Sequence, residues 1–168
     1  MLLLRDVGIV CSDHRLWLLL PLMAYFVTMN LTVERCYCQM GVSDCVAGGW
    51  PLAQETLDFC KAYNPLFLAR PPWMRMATCF SAYGFVFGYA LIALAALRDC
   101  WASLRTPITL FIGAKLNAIV FYHAMEFSAP KPASRHEYGG PPPELGPYFG
   151  VEGPYLVSIA LVIWRLAT

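Results

Sequence analysis

Residues 108–123 read ITLFIGAKLNAIVFYH and place one full charge, Lys115, inside an otherwise oily run, with Asn117 two positions later. Polar residues interrupt apolar stretches elsewhere too: Asn30 and Glu34 one helical turn apart, then Ser81 and Tyr83, and finally Tyr155. An ionisable group at the centre of a membrane costs about 3 kcal/mol or more, so each such residue demands a partner or a task. Lys115 lies eight residues past Pro107 and ten before Met125. That puts it near the midplane of a span over 107–125. A snorkelling lysine stem covers only about a turn of helix, so the ammonium should face other helices, where it must find an acceptor or lose its proton. Structural glue, contact with a ligand or lipid, and proton donation in catalysis are the three roles open to it.

The other reactive residue types offer less. Four of the seven cysteines, Cys36, Cys38, Cys45 and Cys60, fall in one stretch. They read as disulfides if that side faces an oxidising space, or as unpaired apolar fillers. Their spacing, C-x-C-x6-C-x14-C, has no CxxC and no histidine nearby, so a zinc site is not expected. Cys11, Cys79 and Cys100 read as lone thiols. The histidines, His14, His123 and His136, are too scattered for a haem or metal centre. There is no phosphate-cradling glycine motif, GxSxG elbow or HExxH helix, so no catalytic residue is assigned. Asn30 begins an NLT glycosylation triplet, but inside an apolar span where the transferase cannot reach.

The elements that must position these residues follow from composition. Of 168 residues 58% are hydrophobic and only 14% charged, against about a quarter charged in ordinary soluble domains. The net charge is +1 with no basic run, which excludes a nucleic-acid partner. A bilayer crossing takes about 20 residues of helix, and four segments approach that: about 16–33, 76–97, 107–125 and 154–167. The second is the cleanest, ending in LIALAAL before Arg98 and carrying the small-xxx-small pair Gly84 and Gly88, which suits close helix packing in lipid. The chain therefore reads as a single all-α membrane domain over 1–168. It is a four-transmembrane-helix bundle with two long loops, about 34–75 and 126–153, on one side. Trp17, Trp101 and Trp164 then lie at one face of the membrane and Trp50 and Trp73 at the other, as aromatic belts should. Arg5, Arg15, Arg98, Arg105 and Arg165 join the first group, placing both termini in the cytosol or an equivalent compartment. The opening MLLLRDVGIV has the form of neither a signal nor a transit peptide.

Three stretches carry a resemblance: NPLFLARPPWMR at 64–75, LRTPITLFIGAKLNAI at 104–119, and GPYLVSIALVIWRL at 153–166. In order and spacing they resemble the EXPERA family, which includes the emopamil-binding sterol isomerase and the sigma-two receptor, the receptor type being nearer. The resemblance extends over roughly 12–166. It implies a four-helix bundle with a pocket open to the membrane, in which carboxylates hold a ligand's cation or, in the isomerase, a carbocation. By that resemblance Glu34 is the retained acid of the first span and Tyr155 the retained tyrosine of the fourth. Asn64 stands where the family has an acid before Pro-Leu. Ser81 stands near an expected glutamate, and Ala114 with Lys115 near an expected histidine. A pocket meant for a cation has thus lost acids and gained one.

The expected ligand- or lipid-binding set is Glu34, Asn64, Ser81, Lys115, Asn117 and Tyr155, with no cofactor beyond bound lipid or sterol. The expected function is a non-catalytic accessory subunit of a larger membrane complex, such as a mitochondrial respiratory assembly. Its contacts would be membrane lipids, and other subunits met through the 126–153 loop and the helix faces. The mitochondrial inner membrane is the expected home of this multi-pass chain. The alternative is a sterol- or lipid-binding protein of the endoplasmic reticulum, with an active sterol isomerase behind both.

Overall fold

The computed structural model describes residues 14–127 and 144–168, with side chains from Leu18 onward. The expectations for Arg5, Cys11, Arg15, Trp17 and His136, for the His14 side chain and for the greater part of the 126–153 loop lie outside the described residues and side chains. Among the described residues every regular element is helical. The order is α1 (His14–Met29), a π turn (Asn30–Glu34), α2 (Arg35–Gln39), α3 (Val42–Ala47), α4 (Ala53–Tyr63), α5 (Pro65–Ala69), α6 (Pro72–Phe80), a second π turn (Ser81–Phe85), α7 (Val86–Arg98), α8 (Trp101–Phe127) and α9 (Leu145–Ala167). Among the described residues three helical stretches are long and apolar enough to cross a membrane: Pro72–Arg98, Trp101–Phe127 and Leu145–Ala167. The first expected span, 16–33, is helical as well but is not among these three.

The long helices close a ring: α1 packs on α7, α7 on α8, α8 on α9, and α9 returns to α1. Leu19, Met23, Phe26, Tyr89, Ile92, Ile108 and Val162 fill its centre. Gly88 lets α7 and α8 approach closely, because a Cβ there would fall 2.2 Å from the Phe111 ring. Gly84, its partner in the expected packing pair, has open space around it. The outward faces carry Phe80, Phe87, Leu110 and Val120, all exposed. For a helix surrounded by lipid tails that exposure carries no hydrophobic penalty.

The spans are longer than their sequence bounds. Helix α8 begins at Trp101 and carries Pro107 inside it. Helix α9 begins at Leu145 and carries Pro154 inside it, which removes 145–153 from the expected loop. Proline is a poor stop signal in such a helix, since side chains and neighbours satisfy the carbonyls it frees.

The expected loop 34–75 is a compact helical cap. The Cys36–Cys45 disulfide joins α2 to α3. A second, Cys38–Cys79, joins α2 to α6 across 41 residues of sequence. Cys79 is therefore no lone thiol. Its helix starts at Pro72 rather than Met76, which brings it to the level of the cap beside α2. Cys60 is unpaired and buried. Burial pushes its thiol well above the usual range, with Glu152 and Glu126 acting in the same direction. Arg70 completes the clamp. Its Nε and Nη2 donate to the Tyr37 carbonyl at 3.0 and 2.8 Å, at the negative end of the α2 dipole. The Tyr37 hydroxyl in turn donates to the Phe67 carbonyl at 2.7 Å. At the opposite end of the ring Arg165 pairs with Asp99 at 3.0 Å and lies over the Trp101 ring.

Candidate functional site

A cavity of about 420 Å³ lies between the cap and the ring, reached by residues of α1, α4 to α6, α8, α9 and both π turns. Its size is that of a small-molecule pocket. The walls are mostly aliphatic and aromatic, and the charged groups on them are few: Glu34, Glu55, Lys115 and Glu152. Of the expected set, Glu34, Asn64, Ser81, Lys115 and Tyr155 all line it. Asn117 does not. It is exposed on α8, because two residues past Lys115 is a rotation of about 200° around the helix.

The two π turns set the geometry. A π turn inserts one extra residue into a helix and leaves a carbonyl without its regular partner. Here the turns pack against each other, and Asn30 on the first donates from Nδ2 to the Ser81 carbonyl of the second at 2.8 Å. Asn30 is fully buried, so this bond joins the two irregularities inside the protein. The same turns aim Glu34 and Ser81 at the cavity, and the Ser81 hydroxyl sits against the Glu34 carboxylate. Even so, Asn30 Oδ1, Glu34 Oε2, Ser81 Oγ and Tyr89 Oη lack a well-formed hydrogen bond among the described residues. Buried polar atoms are almost always paired. Of these four, Glu34 and Ser81 line the cavity, and orphaned atoms on a cavity wall are what a site keeps for a ligand's polar group.

Lys115 is 7% exposed and reaches into this space from α8. Its Nζ lies 4.5 Å from the centre of the Tyr155 ring, 5.2 Å from Phe85 and 5.6 Å from Tyr89, a cage that favours a cation through the ring quadrupoles. Glu34 and Glu152 both act on it electrostatically. Tyr155 is itself stacked on Phe26, ring centres 4.3 Å apart, so α1 and α9 hold that wall together.

Glu152 is the residue that sequence reasoning missed. It fell in an expected loop, but the extension of α9 to Leu145 carries it into the helix, three residues before Tyr155, and into the cavity wall. Tyr122 on α8 hydrogen-bonds its carboxylate and also accepts from Asn64 Nδ2. The pocket therefore holds two carboxylates around one amine. The expectation of an interior stripped of acids is corrected on this point. The visible signal was the spacing E-x-x-Y, which puts Glu152 and Tyr155 on one helix face. Asn64 has a structural task too: it caps α5, its Oδ1 accepting from the Phe67 N–H at 3.3 Å with Pro65 in the first turn, an arrangement common at helix starts.

Among the described residues no group of histidine, cysteine and carboxylate side chains is arranged to hold a metal ion. Comparison with protein-family models, with curated proteins and with solved structures finds no match.

Proposed function

We propose that this chain is a non-catalytic, four-span membrane protein of EXPERA-like build whose interior cavity holds a sterol or another single-headed lipid. The observation that carries this reading is the pairing of a mostly apolar cavity with one compact polar cluster, Glu34, Ser81, Lys115 and Glu152, at its wall. An amphiphile needs that division: a long dry surface for its body and a few convergent groups for its head. The orphaned polar atoms of Glu34 and Ser81, both on the cavity wall, supply the hydrogen-bonding capacity. Isomerase chemistry fits less well. A carbocation developing beside the Lys115 ammonium would meet a repulsion of several kcal/mol, about 4 at 4 Å in a medium of effective dielectric 20.

Two further features support the orientation. Both disulfides lie in the cap, so that side faces an oxidising space. Arg98, Arg105 and Arg165 gather at the other end, the side expected to face the cytosol or matrix. We place the protein in the mitochondrial inner membrane, with the endoplasmic reticulum as the alternative. Membership of a larger respiratory-type assembly is the companion proposal, supported by the family acids that are replaced at Asn64 and Ser81.

Mass spectrometry of the protein released intact from mild detergent tests the reading. A retained sterol or lipid, lost in a Ser81→Trp variant that fills the wall, is the expected result. A particle that carries no lipid and a cavity that takes none back would overturn it. Copurifying membrane subunits, or their absence, decide the companion proposal in the same preparation.

A further inference from the structure

We propose that the cavity captures an apolar aldehyde covalently, as an imine on Lys115. This deepens the lipid-cavity reading and rests on it. Lys115 Nζ opens onto the cavity, yet among the described residues it has no hydrogen bond and no ion pair. A membrane lysine kept only for structure would be expected to bind a carboxylate or a carbonyl directly. This one is instead cradled by the faces of Phe85, Tyr89 and Tyr155, with the carboxylates of Glu34 and Glu152 acting on it from the same cavity.

That arrangement decides the class of ligand. An anionic head would meet two carboxylates, and a cationic head would meet the amine. A neutral electrophile meets neither obstacle, and an amine flanked by proton acceptors is the machinery that attacks a carbonyl carbon. The remaining walls, which include Met29, Val33, Phe59, Phe67, Met74 and Ile119, suit a hydrocarbon tail.

The steps balance without a redox partner. Lys115 gives one proton, relayed by water in the cavity, to Glu34 or Glu152, and the freed amine attacks the aldehyde carbon. The carbonyl π pair moves to oxygen, which takes up that proton. A second proton from the nitrogen passes through the carboxylates to the new hydroxyl, which leaves as water while the nitrogen lone pair forms the C=N bond. Ammonium and aldehyde become a protonated imine and water. The third ammonium proton stays on nitrogen, so the imine keeps a positive charge where the ammonium stood, and both carboxylates keep their counter-charge.

The chain has only three lysines, Lys61, Lys115 and Lys131, which makes the test simple. The full-length protein in mild detergent is incubated with hexadecanal, reduced with sodium cyanoborohydride, and mapped by peptide mass spectrometry. A hexadecyl adduct on Lys115 in clear excess over Lys61, Lys131 and the amino terminus is expected. Denaturing the chain in dodecyl sulfate before labelling should erase that preference. Lys115→Met should abolish the adduct while both disulfides and the helical content persist. Lys115→Arg, which keeps the charge without the nucleophile, should do the same if the methionine variant fails to fold. Labelling spread equally over the three lysines, or absent from Lys115, overturns the proposal. Hexadecanol, which cannot form an imine, separates the two ideas. If it is retained in the intact protein while hexadecanal leaves no adduct, the cavity reading stands and the imine falls. If neither is retained, both fall.

Discussion

The cap and the ring are held together by different physics. In the cap, residues 35–79 form short helices around two small buried clusters, one with Tyr37, Leu57 and Met74 and one with Cys36, Cys45 and Ala53, and two disulfides, the Arg70 clamp and the Tyr37–Phe67 hydrogen bond tie them together. In the ring, long apolar helices meet through close packing, as where Gly88 leaves room for the Phe111 ring of α8. Lipid gives helices no hydrophobic reason to associate, so shape must do that work. The cavity lies where the two regimes meet, and that position explains its mixed wall. The π turns supply Glu34 and Ser81, the cap supplies Glu55 and Asn64, and the ring supplies Lys115, Glu152 and the Tyr155 face.

Perturbations that touch one regime should spare the other, and their sizes should differ. The largest effect is expected for Cys38→Ser. Opening a 41-residue loop costs about 4 kcal/mol on a chain-entropy estimate, so the cap should unfold early under denaturant while the ring's helical signal persists. A single merged transition would break the comparison. Gly88→Leu comes next. Its side chain must displace the Phe111 ring, and overpacking of this kind costs about 1–3 kcal/mol. The variant should lose helix packing, seen as a lower melting temperature in detergent, with both disulfides still formed on peptide mapping.

Asn30→Ala tests the junction between the regimes. It leaves the Ser81 carbonyl without its donor inside the protein, at about 1–3 kcal/mol, and should weaken lipid retention along with stability. Retention unchanged at lowered stability would detach the π turns from the site. At the far end Asp99→Asn removes a partner that is 74% exposed, so a loss within about 1 kcal/mol is expected.

A pH scan gives the smallest and most local signal. Burial raises the Cys60 thiol above its ordinary value of 9.0. The unfolded chain therefore ionises first, and the thiol's contribution, full below that value, is lost as pH climbs past it. Melting temperature should fall above pH 9, and Cys60→Ala should blunt the fall.

Much of this was legible in the residues. The apolar runs located the long helices, and spacing put Lys115 inside. Glu34, Ser81 and Tyr155 do line one wall with it. What escaped had physical causes. Asn117 was grouped with Lys115 by nearness in sequence, although a helix turns such neighbours to opposite sides. Glu152 was hidden by Pro154, taken for a boundary that a membrane helix does not respect. Cys79 reads as a lone thiol when its helix is started at Met76, about a turn late, and is in fact bonded to Cys38. The π turns left no trace in composition, since an extra residue in a helix is a matter of backbone bonding.

Those paired irregularities carry a last implication. Each is a one-residue insertion into an otherwise regular screw, so excising a single position from Asn30–Glu34 would let the spiral close up. The helices on either side would keep nearly their present orientation, because the wide turn absorbs the extra residue. The local widening would go, with Cys36 and Cys38 still facing their mates. Natural length variants of this chain should therefore accept a one-residue gap at these two places more readily than in the regular turns of a long helix, where it would rotate everything beyond by about 100°.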